Sequence, residues 1–508
     1  MPQVNPRQTL VPASAIETLK SAPLGKLTPR IISQSEWVDV AFFDTFDAHI
    51  LSTGQILVQQ AKTLHLIGAG AHLEQKCSEI PTFVASLPDG PVKENLGMVP
   101  ALRSLIPLGR AKMEYTALAY VDDEAKTHVR LELQIFKHDS GSSLCVANPV
   151  GLRGYDKALL GVNSWIENLS EKQSDWSSFY KVLLPNWQSY NAKPQISLPP
   201  QTPAFDMANA IIAAHIPMMR QNEAGVISDI DTEFLHDYRI ALRKIRSVVS
   251  LFAGVYDTKQ TIDLKSEFSA LMAPTGKLRD LDVYLLTRDE YYALLPTDLH
   301  PGLERMFDLF AAQRAEAQSS LAKRLQSTSY RVQVKRLGKL FSKGTKLDAG
   351  PKADAPAHDF ACNLIWKRYR KICKIASGIT EETPDEEVHN LRIQCKKLRY
   401  LMEMFAPVFP KQAIKELIRP LKQLQDNLGL FNDYCVQQES LREFLANLNS
   451  ETPKENVAIA QTVGALIALM HQRQLAERGK VVKSFAAFNS PKTQTSFHAL
   501  FQSRKEPA

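Results

Sequence analysis

Two segments of this chain repeat one basic pattern at a fixed interval, and that repeat limits the folds open to it more than any other feature. His236, Arg239, Arg243, Lys244 and Arg246 recur as His389, Arg392, Lys396, Lys397 and Arg399, each equivalent pair 153 residues apart. The interval persists downstream, where Phe252 answers to Phe405, Leu271 to Leu424, Gly276 to Gly429 and Asp280 to Asp433, although the sequence between these positions differs. A repeat of this length implies two similar structural halves, each presenting one histidine and four cations.

With successive residues turned by about 100°, Arg239, Arg243 and Arg246 fall within about 80° on one side of His236, and Lys244 lies about 80° on the other. Ala241, Leu242, Ile245, Val248, Val249 and Phe252 gather opposite, as an amphipathic helix packed into a bundle requires. In the second copy Cys395, Leu398, Leu401, Met402 and Phe405 take those places. There Thr383, Pro384 and Glu386 predict a capping-box start with proline at the first helical position. Like charges this close on a helix each destabilise it by about a few tenths of a kcal/mol. A solvated face explains most single charge runs. It gives no reason to repeat His and Arg at one spacing while Glu, the usual i,i+4 partner, stays out, so the duplication predicts an anion-binding surface.

At 508 residues, 44% hydrophobic and 23% charged, the chain is long enough for two or three domains with ample cores. It has no run of about 18 apolar residues, and its first residues lack the apolar stretch of a secretory signal, so a cytoplasmic location is expected. Cys77, Cys145, Cys362, Cys373, Cys395 and Cys435 form no CxxC pair, which predicts reduced packing thiols rather than disulfides or zinc ligands. Residues 1 to 200 hold 18 Lys and Arg against 19 Asp and Glu, whereas residues 201 to 508 hold 43 against 35. The positive field therefore belongs to the second part and favours polyphosphate, nucleic acid or an acidic membrane surface without choosing among them.

Residues 31 to 165 mix β-type runs with turns: Trp37 to Phe43, Thr116 to Val121, and His128 to Phe136, where Val129, Leu131, Leu133 and Ile135 alternate. This part reads as sheet. Tyr190 to Pro203 is proline-rich and predicts an extended linker. From Ala204 onward the chain reads as helix, with breaks near Gly225, from Pro296 to Pro301, and in a Gly344 to Pro356 loop that suits a hinge or seam between the halves.

These motifs strongly resemble the CHAD domain, an all-helical family whose two halves each carry an H-x-x-R-x-x-x-[RK]-[RK]-x-R helix. The family's later landmarks are present as Gly276, Arg279, Asp280 and Asp282 in the first half and as Leu424, Gly429, Asn432 and Asp433 in the second. The resemblance implies two four-helix bundles related by a pseudo-two-fold axis, spanning residues 204–490 with halves of about 204–343 and 357–490. It also implies a groove or pore lined by basic helices that binds inorganic polyphosphate without turnover, in a role at polyphosphate granules or in phosphate storage. Such a polymer offers only negative oxygens to recognise. Arg239, Arg243, Arg246, Arg279, Arg392 and Arg399 would give planar forks, Lys244, Lys396 and Lys397 point charges, and His236 and His389 hydrogen bonds. Asp280 and Asp433 would orient a His or Arg from behind. No cofactor is required on this reading, beyond magnesium or manganese carried in with the polyphosphate.

Residues 25–190, ahead of a linker at 191–203, show a fainter likeness. Phe43, Asp44, Thr45, Phe46, Asp47, Leu51, Gly54 and Leu57, followed by the run from Val121 to Leu133, look like the CYTH domain, a triphosphate tunnel often fused ahead of CHAD domains. That likeness implies an antiparallel β-barrel or sheet and makes the whole chain an α+β, two-domain protein. The family's E-x-E-x-K strand is missing. Residues 1 to 30 hold one acid, Glu17, and Val58, Gln59 and Gln60 stand where basic residues are expected. A divalent metal needs clustered carboxylates, so no catalytic residue and no metal site is assigned. Arg110, Arg130, Glu132 and Arg153 are either remnants of a tunnel lining or ordinary surface residues.

Two other classes stay open. One is an enzyme: a metal-dependent triphosphatase or polyphosphatase acting through the first domain, or a phosphohydrolase using His236 and Asp237. The second copy reads His389, Asn390 and weakens that pair. The other is a nucleic-acid-binding helical protein, which would be helped by aromatics that the cationic face lacks.

Overall fold

The computed structural model describes residues 8–502 apart from 69, 171–175, 195, 344–345, 381 and 449–452. Gln195 of the expected linker and Gly344 and Thr345 of the expected hinge lie outside the described residues. The chain forms two compact units, residues 1–192 and 193–508. No helix among the described residues is long and apolar enough to cross a membrane.

The first unit is an antiparallel sheet of β1 (Thr9–Pro12), β2 (Thr28–Gln34), β3 (Val38–Asp44), β4 (Gln55–Gln60), β5 (Thr63–Gly68), β6 (Ala71–Lys76), β7 (Ile106–Val121), β8 (Thr127–Lys137) and β9 (Ser143–Gly151). The order is β1-β9-β8-β7-β3-β4-β5-β6, with β2 also paired to β7. Helices α1 (Ile16–Ser21), α2 (His49–Ser52), α3 (Pro91–Asn95), α4 (Asp156–Leu169) and α5 (Phe179–Leu183) complete it. The three runs expected to be strands lie in β3, β7 and β8, and the sheet also takes in β1, ahead of residue 25. Alternation along β8 sends Val129, Leu131, Leu133 and Ile135 into a core with Val162 and Ile166 of α4. Phe136 faces the other core, with Phe42 and with Phe179 and Tyr180 of α5.

The Phe43 to Leu51 segment owes its character to a turn. The buried Asp44 carboxylate accepts backbone N–H bonds from Thr45 (2.7 Å), Ile50 (2.9 Å) and Leu51 (2.9 Å). Burial outweighs those bonds and pushes its pKa up to about 7.

The second unit is helical: α6 (Ala204–Ile227), α7 (Thr232–Leu251), α8 (Thr258–Met272), α9 (Gly276–Leu286), α10 (Arg288–Leu294), α11 (His300–Gln326), α12 (Thr328–Lys343), α13 (Ala357–Ala376), α14 (Asp385–Met404), α15 (Lys411–Ala446), α16 (Pro453–Gly479), α17 (Val481–Phe488) and α18 (Pro491–Phe501). Helices begin at Ala204, Thr232, Thr258, His300 and Thr328 in the first half and at Ala357, Asp385, Lys411, Pro453 and Val481 in the second, so the 153-residue interval holds at all five starts. Where α15 runs unbroken, the first half divides into α8, α9 and α10. Pro274, which lacks a backbone N–H, sits at the first division.

The halves meet by like-with-like contacts. Pro203 bridges Pro356, the Ala204 N–H donates to Ala355 O, and the Ala357 N–H donates to Thr202 O, both at 2.8 Å. Phe252 stacks on Phe405 with centroids 4.7 Å apart and planes at 11°. Residues separated by the repeat interval touching each other, with reciprocal bonds, are the signature of an isologous contact. A pseudo-two-fold axis therefore relates the halves.

Two local expectations become specific and one changes. Gly225 lies inside α6, where a Cβ would run into the ring of Phe234; the glycine serves close approach, and the break follows at Ile227. The 346–356 stretch is a seam: the N–H groups of Asp257, Gly350 and Lys352 bond across it to Asp348, Val255 and Gly254 carbonyls. No capping box forms at α14, because Pro384 is the cap residue itself and the Thr383 hydroxyl turns back to accept from the Thr380 N–H at 2.8 Å. Asp385 is held instead by Gln474 (2.6 Å) and Arg478.

Candidate anion-binding site

Helix α7 starts at Asp231, whose carboxylate accepts from the N–H groups of Glu233 (2.9 Å) and Phe234 (3.2 Å). Ala241, Leu242, Ile245 and Val248 are fully buried, as are Cys395, Leu398, Met402 and Phe405 at the equivalent face of α14. Fixing these faces inward turns Arg239, Arg243 and Arg246, and likewise Arg392, Lys396 and Arg399, the other way.

Arg239 is half-buried, and its Nη1 donates to Thr275 Oγ1 at 2.6 Å. Its pKa is lowered, first by burial, with Arg243, Arg279 and Arg246 adding repulsion and Asp280 opposing. In the second half Arg392 is lowered by burial, with Asp433 opposing, and its Nη2 lies 3.5 Å from Asp433 Oδ1. Lys396 is lowered by burial and then by Arg392, with Arg243 and Arg399 contributing. The two clusters are joined across the halves by Glu403, which pairs with Lys244 of α7 at 2.6 Å and with Arg399 of α14 at 3.2 Å, and Arg243 also acts on Lys396, so Arg239, Arg243, Arg246, Arg279, Arg392, Lys396 and Arg399 are grouped as one cationic ridge. Gathering these like charges opposes folding, and a bound anion would relieve it. Three donors within it, Arg279 Nη1, Arg392 Nε and Arg399 Nε, are buried without a hydrogen-bond partner among the described residues, although Arg399 Nε is ion-paired with Glu403.

Other expected site residues have partners of their own, and Lys244 reaches the ridge through the Glu403 that it shares with Arg399. Lys244 Nζ is 2.6 Å from Glu403 and sits over the Tyr400 ring at 5.6 Å. Lys397 is turned toward Arg368 and Lys371 of α13, whose charges with burial lower its pKa. His389 Nδ1 meets Asn432 Oδ1 at 2.7 Å, and half-buried His236 occupies the matching position on α7. The exposed acids Asp280 and Asp433 act on Arg239 and Arg392. Asp282 belongs to the core, accepting from Arg314 Nε at 2.9 Å.

Thr275, Glu403 and Tyr400 were not read from the sequence, and Asn432 was read only as a family landmark without a role. Thr275 and Asn432 each serve only one half, since their equivalents are Leu428 and Arg279. Glu403, four residues after Arg399 and 3.2 Å from its Nε, supplies the i,i+4 acid that the motif itself lacks. Tyr400 adds an aromatic, 5.9 Å from the Arg399 guanidinium. The Arg399–Glu403 spacing was visible in the sequence; the reach of Glu403 to Lys244 in the other half was not.

Residues 210–442 match the family model of the CHAD domain. Among solved structures, the CHAD domain from the plant Ricinus communis is 22% identical, covering 62% of this chain and 98% of that one with a TM-score of 0.48. PptA from Streptomyces chartreusis is 14% identical, covering 56% and 99%, with a TM-score of 0.43. No curated protein matches. On the strength of the sequence match, residues 210–442 of the helical unit are identified as a CHAD domain.

Proposed function

We propose that the ridge binds inorganic polyphosphate as a receptor, one polymer lying across both halves. The observation that carries this reading is the joining of the two basic helices through Glu403, which takes Lys244 of one half and Arg399 of the other. A linear polyanion has roughly one negative charge per phosphate and only acceptor oxygens, so it needs closely spaced cations and donors rather than shape-specific pockets. Arginine forks match phosphate oxygens two at a time. Asp280 and Asp433 hold one arginine of each half without cancelling the ridge, which supports a surface prepared before ligand arrives. A repeating polymer also suits a repeated site, because the same phosphate spacing is presented to α7 and to α14. The first unit is read as a CYTH relative that does not turn the polymer over. The test is calorimetric titration of the purified protein with long-chain polyphosphate in moderate salt with magnesium, with DNA as competitor and phosphate release followed in the same sample. Saturable binding that DNA does not displace, without phosphate release, is the expected result. Displacement by DNA would favour nucleic acid, and released phosphate would make the protein an enzyme.

A further inference from the structure

The hairpin of β5 and β6 carries a different chemistry. His65 pairs directly with Glu74 across the strands, and His72, two residues before Glu74, points to the same side. Nδ1 of His65 lies 3.1 Å from Nε2 of His72, and each of these nitrogens lies 3.5 Å from Oε1 of Glu74. Ligands about 2.0–2.1 Å from a tetrahedral ion are roughly 3.3–3.4 Å apart, so the three donors already have the separations of a shared metal. They are the one such group of His, Cys or carboxylate ligands found among the described residues.

The surroundings fit the same use. Gln134 of β8 places Nε2 3.3 Å from the other nitrogen of His72, and Glu132, held by Asn148 at 2.9 Å, acts on His72 from the same strand. A second hydrogen bond of this kind fixes the ring and tautomer of a ligating histidine; turned over, the Gln134 amide would accept the Nδ1 proton once Nε2 holds a metal. His65 is 8% exposed while Glu74 is exposed, leaving a route for an ion.

We propose that His65, His72 and Glu74 bind one zinc-type divalent ion, with the remaining coordination position open to water. Two imidazoles and a carboxylate are a recurrent zinc donor set, and they favour first-row transition ions over magnesium. The ion would clip the terminal strand β6 to β5.

The test uses full-length protein freed of metal by chelator and titrated with cobalt(II), followed by zinc. One cobalt per chain, giving the visible absorption of a low-coordinate site without thiolate bands and displaced by zinc but not by magnesium, is expected. H72A and E74Q should each weaken cobalt binding at least roughly tenfold, and Q134A by about 10- to 100-fold, with circular dichroism unchanged. H72A and E74Q alter exposed or half-exposed side chains, so the test stands even if H65A fails to fold. An octahedral spectrum, or binding that survives both H72A and E74Q, would overturn the proposal.

Discussion

Replacing Arg243 and Lys396 together by glutamine should weaken polyphosphate binding while slightly stabilising the protein. The two occupy equivalent positions on α7 and α14, and Arg243 contributes to the lowered pKa of Lys396. Taking the single-strand coefficient of about 0.7 per neutralised phosphate, seven ridge cations give a log–log salt slope of about −5, an upper limit because Asp280, Asp433 and Glu403 neutralise part of the charge. Between 50 and 200 mM salt that slope is a loss of about 10³ in affinity. Without the Arg243 and Lys396 charges the slope should fall by about 1.4. At about 1 kcal/mol for each charge-assisted contact, discounted for solvent screening, affinity should drop about 30-fold. Removing like-charge repulsion should raise the melting temperature by about 1–2 °C. Calorimetry at several salt concentrations and a thermal melt supply both readings. An unchanged slope with unchanged affinity would refute the reasoning, since the ridge would then not be where the polymer lies.

Three further perturbations test the scaffold. Ile245→Asp places an unpaired charge at a fully buried position and should abolish cooperative unfolding of the helical unit in a thermal melt, at a cost of several kcal/mol or about the whole stability of that half. Phe252→Ala and Phe405→Ala should each cost about 3–5 kcal/mol in denaturant titrations; because the rings stack, the double variant should show a coupling of about 0.5–1.5 kcal/mol. Asp44 has a folded pKa raised to about 7, so the stability it contributes is complete below pH about 4 and is lost as pH rises toward 7, roughly 4 kcal/mol in all. Asp44→Asn should therefore gain stability relative to the parent from pH 4.5 to 7.5 in parallel melts, and a constant difference would contradict the assignment.

Much of the helical unit was legible because one repeat carried both pattern and interval. Alternation of Arg239, Arg243 and Arg246 with buried Ala241, Leu242 and Ile245 fixes the inward face by helical geometry alone, and the 153-residue interval extends that inference to the second half. The strand at β8 was legible from alternation, and those at β3 and β7 from β-type runs bounded by turns. The cap at α14 was misread because Thr383 hydrogen-bonds the preceding loop, a competition between local partners that spacing does not reveal. Lys244 and Lys397 lie about 80° to the other side of the histidines, yet their different partners, Glu403 shared with Arg399 for one and the α13 cations for the other, are tertiary. The grouping of His65, His72 and Glu74 depends on hairpin register, and no contiguous motif announces it.

The most direct measurement compares two triple variants by polyphosphate calorimetry, one with Arg239, Arg243 and Arg246 replaced by alanine and one with Arg392, Lys396 and Arg399 replaced by alanine. If a single polymer spans both halves, the parent binds one site's worth of ligand and either variant loses most of the affinity, about 30- to 160-fold at two to three contacts of about 1 kcal/mol each, while helicity is kept. If both variants bind as the parent does, the duplicated ridge is scaffold and the polymer, should it bind at all, is held elsewhere.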